Sequence, residues 1–254
     1  MPMSDTNPFR PEDAVSLLGR KFARASSRCD ACEVRHRSFC GVLEGQEFAR
    51  LAAIVTSRSF DARQSIVHEG DEAELLLNVI SGTAKIYRAL PDGRVQIVGF
   101  LSEGDFMGVP ATRRYGVSAE AITHVEMCAF PRRSFDRLLN EFPTLERRLF
   151  ELATNEVAAA RDHMLLLGRK TARERVASFL VAMAVKPRCV HVASPSVELP
   201  MTRAEIADYL GLTMETVSRT LTSLRNEGVI VSRSPDRLVL AQLEKLRRIA
   251  AGDV

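Results

Sequence analysis

The sequence has no tryptophan, only five cysteines and five histidines, 6% aromatic residues and no long apolar run. Its longest purely apolar stretch, Phe179 to Val185, covers seven residues, far short of the roughly 18 that span a bilayer. Near the N-terminus Asp5, Glu12, Asp13 and several arginines interrupt any apolar segment, so no secretion signal is read. Charge of one sign is lacking too. Against 35 Lys and Arg stand 32 Asp and Glu, a net +3, which excludes a basic tail protein or an acidic solvating chain but not a local basic surface. His36, His68, His124, His163 and His191 are too scattered to suggest a Ser/His/Asp constellation, and no paired carboxylates emerge. A cytoplasmic protein that is not an enzyme is expected. Its 254 residues, 46% of them hydrophobic, suffice for one large or two ordinary domains.

The five cysteines are not spread evenly. Cys29, Cys32 and Cys40 crowd together as C-x2-C-x7-C, while Cys128 and Cys189 stand apart. A reducing cytoplasm leaves such thiols available for metal or redox work rather than disulfides. The stretch from Arg28 to Cys40 is too polar for a core strand or helix and reads as a loop wrapped around something. Arg28, Arg35 and Arg37 are expected to favour thiolates and to offset the charge of a thiolate-ligated group. Three close thiolates and one distant one would complete a four-cysteine site. Zinc, held by four cysteines or by three and His36, competes with iron–sulfur, and spacing alone does not separate them. A thiol-redox enzyme built on Cys29-x-x-Cys32 would need a thioredoxin-like α/β pattern, which is absent from the surrounding sequence.

Four regions are read along the chain. Residues 1–42 hold the cysteine segment, and the first 28, polar and proline-containing, are expected to be poorly ordered. Residues 43–142 show short apolar runs, such as Leu75 to Ile80 and Val95 to Phe100, between glycine turns at Gly82, Gly93, Gly104 and Gly108. Even spacing of strands and turns predicts an all-β barrel or roll. Cys128 falls in its last strand, with His124, Glu126 and Phe130 on the same face. Residues 143–168 turn helical. Phe150, Ala153, Val157, Ala160, Met164 and Leu167 recur at steps of three and four, a narrow uncharged seam that favours a dimer helix over a core helix with two buried faces. A second apolar line, Leu145, Leu149 and Leu152, would pack on the barrel, and Gly168 is expected to close or interrupt the helix. Residues 169–254 form the last region. Counted from Gly168, 14 Lys and Arg meet 9 Asp and Glu, a net +5, against −2 for residues 1–167. Such asymmetry suits a sensor joined to a nucleic-acid reader.

Within that basic region Thr202-x-x-Glu205 is a capping box opening a helix that Gly211 ends. Thr213 caps a second helix, Met214 to Asn226. Val217, Leu221 and Leu224 form its buried line, while Glu215, Ser218, Arg219 and Thr222 lie outward. Arginine donates to guanine O6 and N7, glutamate accepts from cytosine N4, and serine approaches a thymine or phosphate. The segments 229–231 and 238–240 flank Arg233 and Arg237 as a two-stranded wing whose tip would touch phosphate. The bland alternative is a three-helix fragment with a solvated face. Two caps, a small-residue turn and a basic wing together favour DNA binding.

Taken together these residues resemble the CRP/FNR family of bacterial transcription regulators, and within it the FNR/FnrN-like branch. The resemblance runs from the cysteine segment through Ser81-Gly82-Thr83, Cys128-Ala129-Phe130-Pro131, Leu165-Leu166-Leu167 and Glu174-Arg175 to the segment Asp208 to Arg219, with its E-x-x-S-R core. It implies an α+β fold: an N-terminal cyclic-nucleotide-binding-like β-roll, a long dimerisation helix and a C-terminal winged helix-turn-helix. It further implies an oxygen-labile 4Fe–4S cluster on Cys29, Cys32, Cys40 and Cys128. The loaded homodimer would bind a palindrome of TTGAT half-sites in double-stranded promoter DNA, with Glu215, Ser218 and Arg219 reading each half-site. RNA polymerase is the implied further partner, and the sequence marks no surface for it. Cys189 matches no ligand position. Two departures stand out: the prototype of the branch spaces the second and third cysteines more closely, and Arg161 stands where it has an acidic residue beside the seam. The first would leave the ligand set intact and alter cluster stability; the second would remove a repulsion that brakes dimerisation, so looser oxygen gating is expected from it. Cyclic-nucleotide sensors of the same architecture carry an Arg-Ser pair in the roll. Here the stretch reads Arg113-Arg114-Tyr115-Gly116-Val117-Ser118, without that pair, so a nucleotide ligand is disfavoured. The alternative is a regulator of CRP type that answers a small molecule or carries a structural zinc.

Overall fold

The fold is seen in a computed structural model that describes residues 29–108, 113–185, 196–234 and 236–253. The expected disorder of residues 1–28 and the idle thiol Cys189 lie outside the described residues. The architecture is α+β. Eight strands, β1 (Thr56–Phe60), β2 (Ser65–Val67), β3 (Leu75–Ser81), β4 (Ala84–Ala89), β5 (Val95–Leu101), β6 (Phe106–Met107), β7 (Ser118–Ala121) and β8 (Val125–Pro131), form two antiparallel sheets. Their orders are β1-β8-β3-β6 and β2-β7-β4-β5. Leu77, Val79, Ala84, Leu101, Ala119, Ala121, Val125, Met127 and Ala129 fill the space between them. The turn from β3 to β4 depends on Gly82, whose φ is 87°. A Cβ there would lie 2.1 Å from the His124 carbonyl oxygen, so no other residue fits.

Alternation along β8 gives that strand two different neighbours. Val125, Met127 and Ala129 point into the roll, whereas Cys128 and Phe130 face a second apolar cluster outside it. Three helices contribute to that cluster. Helix α1 (Gly45–Ile54) and α2 (Arg132–Glu141) were not expected, since residues 43–142 read as strands and turns alone. Phe48, Leu51 and Ala52 of α1 are buried at helical spacing, and so are Phe135 and Leu138 of α2. Each is ten residues long, too short for periodicity to stand out from flanking strands. The third is the long helix α3 (Pro143–Arg169), whose Leu145 and Leu149 are buried in the same cluster. Gly168 does not close α3. The helix runs one residue further, and nothing lies within 4 Å of where a Cβ on Gly168 would stand.

Beyond α3 come α4 (Ala172–Val185), β9 (Ser196–Glu198), α5 (Arg203–Leu210), α6 (Met214–Asn226), β10 (Val231–Ser234), β11 (Arg237–Val239) and α7 (Leu243–Ala251). The wing is three-stranded rather than two-stranded, in the order β10-β11-β9. β9 escaped the sequence reading because it is three residues long and pairs with β11 from far along the chain. Val176, Leu180, Ile206, Leu210, Val217, Leu221, Leu224 and Ile230 share one core, which also takes Ile97 and Phe100 from the roll. No helix among the described residues is long and apolar enough to cross a membrane.

Candidate cysteine pocket and DNA-reading face

The cysteine segment folds into two 3-10 turns, Arg35–Arg37 and Phe39–Val42, rather than an open loop. Phe39, 1% exposed, anchors it, with ring centroids 4.8 Å from Phe106, 5.3 Å from Phe130 and 5.6 Å from Phe135. Asn78 of β3 pairs in register with Cys128 of β8 and donates from Nδ2 to Ser38 Oγ at 3.1 Å. Those links bring Cys128 under the segment. Cys29, Cys32, Cys40 and Cys128 line one pocket, closed by Arg35, Phe48, Leu51, Asn78 and Phe130.

The electrostatics differ from the expectation that arginines would favour thiolates. Burial pushes the Cys40 thiol up to about 11, and the Cys32 and Cys29 sulfurs push the same way; only Arg35 and a backbone hydrogen bond oppose them. Cys29 is raised too, by burial first and then by Cys32 and Asp30. Arg35 is held beside the pocket by stacking 3.6 Å over the Phe48 ring and donating from Nη2 to the Leu43 carbonyl at 2.8 Å. Arg37 turns instead toward Glu103, at 4.0 Å, and Arg28 lies outside the described residues. Two thiols, Cys29 and Cys40, whose ionised forms are disfavoured by burial and by neighbouring sulfur, in a mostly apolar wall shared with Cys32 and Cys128, suit a thiolate-ligated metal group, whose positive charge would offset that cost. Asn78 Oδ1, buried in the same wall, has no hydrogen-bond partner. Among the described residues no three His, Cys, Asp or Glu are grouped to hold one metal ion, so neither the four cysteines nor three of them with His36 form a compact tetrahedral shell around a single ion.

At the other end of the molecule, α5 and α6 form the helix-turn-helix. Thr202 accepts from the Glu205 backbone while Glu205 reaches back to Thr202, Gly211 takes φ 60°, and Thr213 Oγ1 accepts from the Thr216 backbone at 3.2 Å. Val217, Leu221 and Leu224 face the core. Glu215, Ser218, Arg219 and Thr222 share the exposed face, with Thr213 exposed at the cap. Arg219 lies 3.6 Å from Glu215 one turn earlier, and Thr222 Oγ1 donates to the Ser218 carbonyl at 2.9 Å. Arg175, which enters the resemblance without a role, has one in the structure. Its guanidinium donates to the carbonyls of Leu167 and Leu210 at 2.8 and 2.9 Å, and its Nε donates to that of Lys170 at 2.8 Å. It thus caps the C-termini of both α3 and α5 at once, where the two helix dipoles favour a cation.

Of the seam on α3, Phe150, Val157 and Met164 are 73%, 50% and 65% exposed, and Ala153 and Ala160 are exposed with them. Leu167 departs from the seam: it is partly buried against the C-terminal core, with Cδ2 3.2 Å from where a Cβ on Gly211 would lie. Leu165, one residue after Met164, is exposed instead. One side-chain grouping was not foreseen. Pairing of β1 with β8 sets Ser59 Oγ 3.3 Å from His124 Nε2, and His124 Nδ1 3.2 Å from Asp61 Oδ1. With Asp61 90% exposed, nothing there excludes water or holds a substrate.

The chain matches the cyclic nucleotide-binding domain over residues 57–142 and the Crp-like helix-turn-helix domain over residues 174–249. A probable transcriptional activator of Rhizobium leguminosarum bv. viciae is 41% identical over 221 residues, covering 87% of this chain and 92% of that protein. The transcriptional activator protein FnrL of Cereibacter sphaeroides is 37% identical over 230 residues, covering 89% and 93%. The solved structure of FixK2 from Bradyrhizobium japonicum aligns with a TM-score of 0.72 at 37% identity, over 77% of this chain and 97% of that one. A CooA mutant from Carboxydothermus hydrogenoformans shares the fold, with a TM-score of 0.71 at 23% identity, over 84% and 95%.

Proposed function

The chain belongs to the CRP/FNR family of DNA-binding transcription regulators, and we propose that it is an oxygen-responsive activator, working in the cytoplasm, whose cysteine pocket holds a 4Fe–4S cluster. The observation that carries this reading is the meeting of Cys29, Cys32 and Cys40 with Cys128 in one pocket, although Cys128 is 88 residues from Cys40 in the chain. When bound, the cluster supplies a redox-labile cation that four thiolates hold and oxygen destroys.

The residues around it explain how filling the pocket would reach the DNA. Cys29, Cys40 and Cys128 pack on the cluster of side chains that includes Phe39, Phe130, Phe135, Leu145 and Leu149. The last two belong to the N-terminal half of α3, so ordering the cysteine segment firms the base of that helix. The same helix then presents Phe150, Val157, Met164 and Leu165 to solvent, an unpaired apolar stripe of the kind a two-fold coiled-coil partner covers. Dimerisation sets two α6 helices about 34 Å apart, one turn of DNA. The base-edge contacts then fall to Glu215, Ser218 and Arg219, with Thr213 and Thr222 at their margins. RNA polymerase is the further partner that activation requires.

Purification without oxygen, followed by a visible spectrum and assays for iron and acid-labile sulfide, tests the reading on the wild type and on Cys128→Ala. A brown wild type with iron and sulfide that air bleaches, and a Cys128→Ala variant that loses both, is the expected result. A colourless protein carrying zinc would remove the oxygen sensor and leave the DNA reader standing.

A further inference from the structure

The β4–β5 ribbon of the roll grips α5 at both ends. Lys85 of β4 sets its Nζ 2.8 Å from Glu120 Oε1 on β7 and 3.0 Å from Glu205 Oε1 on α5. Glu205 is the carboxylate that closes the capping box at the start of that helix. Three of the partners are largely shielded, with side chains 16 to 27% exposed. At the other end of α5, Gln96 of β5 donates from Nε2 to the Asp208 carbonyl at 2.6 Å. Between these polar points Phe100 of β5 packs on Phe179 and Tyr209, with centroids 6.2 and 5.3 Å apart.

Because α5 and α6 share one core, through Ile206, Ala207, Leu210, Val217, Leu221 and Leu224, whatever fixes α5 fixes the reading helix. An apolar contact alone is non-directional and tolerates sliding. Hydrogen bonds to an ion pair and to a helix-terminal carbonyl do not, since they weaken steeply beyond a few tenths of an ångström.

We propose that Lys85 and Gln96 are positioning residues that fix the distance of each reading helix from the two-fold axis, so that this regulator selects palindromes by spacer length as well as by half-site sequence. Changing a spacer by one base pair moves a half-site about 3.4 Å along the duplex and turns it by roughly 35°. Such a step exceeds what the Lys85–Glu205 and Gln96–Asp208 bonds tolerate. With the bonds gone, the apolar part of the joint lets the reader follow the displaced half-site. The proposal rests on two-fold DNA binding and does not depend on what the cysteines hold.

The test compares full-length wild type with Lys85→Met, Gln96→Leu, the double variant and Lys85→Arg. All are prepared without oxygen and checked for folding by thermal unfolding. Each is titrated with duplexes carrying two TTGAT half-sites and spacers differing by one base pair in either direction, and with a duplex carrying a single half-site. The wild type is expected to prefer one spacer by about tenfold or more. In the double variant that preference should shrink to about threefold or less while single half-site binding stays within about twofold. Lys85→Arg, which keeps the charge, should keep most of the preference. Spacer preference unchanged in the double variant overturns the proposal. An equal loss on every duplex, the single half-site included, overturns it too, because the residues would then serve only folding. A wild type that binds two half-sites no better than one defeats the two-fold reading itself, and the proposal falls with it.

Discussion

Arg219 sits on the second turn of α6 with 83% of its side chain exposed, facing Glu215 at 3.6 Å. An exposed i, i+4 pair contributes only about 0.3–0.5 kcal/mol, so both side chains are held in place yet release at little cost to meet base edges. Arg219→Ala should cost about 1–3 kcal/mol at a single base pair and relax specificity there; affinities for half-sites mutated position by position measure it. Equal weakening on all sequences would mark Arg219 as a phosphate contact instead. His163 of α3 presents a different residue-scale consequence. Its ring lies 4.3 Å from that of Tyr209, and a hydrogen bond with the Tyr209 backbone only partly offsets the effect of burial. Burial holds its pKa below the ordinary value. As pH falls through about 6.5 the released imidazole takes its proton before the docked one does, so docking of α5 on α3 weakens and then levels off below the docked pKa. Thermal unfolding followed from about pH 7.5 to 5.5 should show that decline, and His163→Leu should flatten it.

At the scale of elements, α3 divides its work between two faces. Leu145 and Leu149 bind it to the roll, while Phe150, Val157 and Met164 stand in solvent. A charge on the solvent face removes no intrachain packing. Val157→Asp should leave thermal stability of the monomer nearly unchanged, shift sedimentation to monomer, and weaken binding to a two-site duplex by about a hundredfold or more through loss of avidity. A Val157→Asp protein that remains dimeric would place the two-fold contact elsewhere. The helix-turn-helix was legible in the sequence because its signals are local: Thr202 with Glu205, Gly211, and Thr213 all act within four residues of themselves. Helices α1 and α2 and strand β9 were not legible, since short elements owe their form to burial against distant neighbours. β9 exists because Val197 pairs with Leu238 across 41 residues.

Across the whole molecule, the pocket and the reader are joined through α3, which meets a separate apolar cluster at each of its ends. The cysteine segment packs on the base of α3, and the C-terminus of α3 is tied to α5 by Arg175. In protein loaded with iron and sulfide, amide exchange over residues 145–152 should slow relative to cluster-free protein; identical exchange in both would break the proposed route from pocket to dimer helix. The amino-acid sequence by itself determined the kind of module at each end: three crowded cysteines, a ten-residue rhythm of strands and turns, a helical seam, and a capped helix pair in a segment of net +5 charge. These follow from local spacing and chain periodicity, which need no knowledge of what lies opposite. Only the tertiary structure decided which groups meet. It set Cys128 beneath the cysteine segment through the pairing of β3 with β8, raised thiols that neighbouring arginines alone would have lowered, turned Leu167 inward and laid Lys85 against Glu205. Burial and long-range pairing depend on where the chain returns in space, and that distance is not written in the spacing of residues along it.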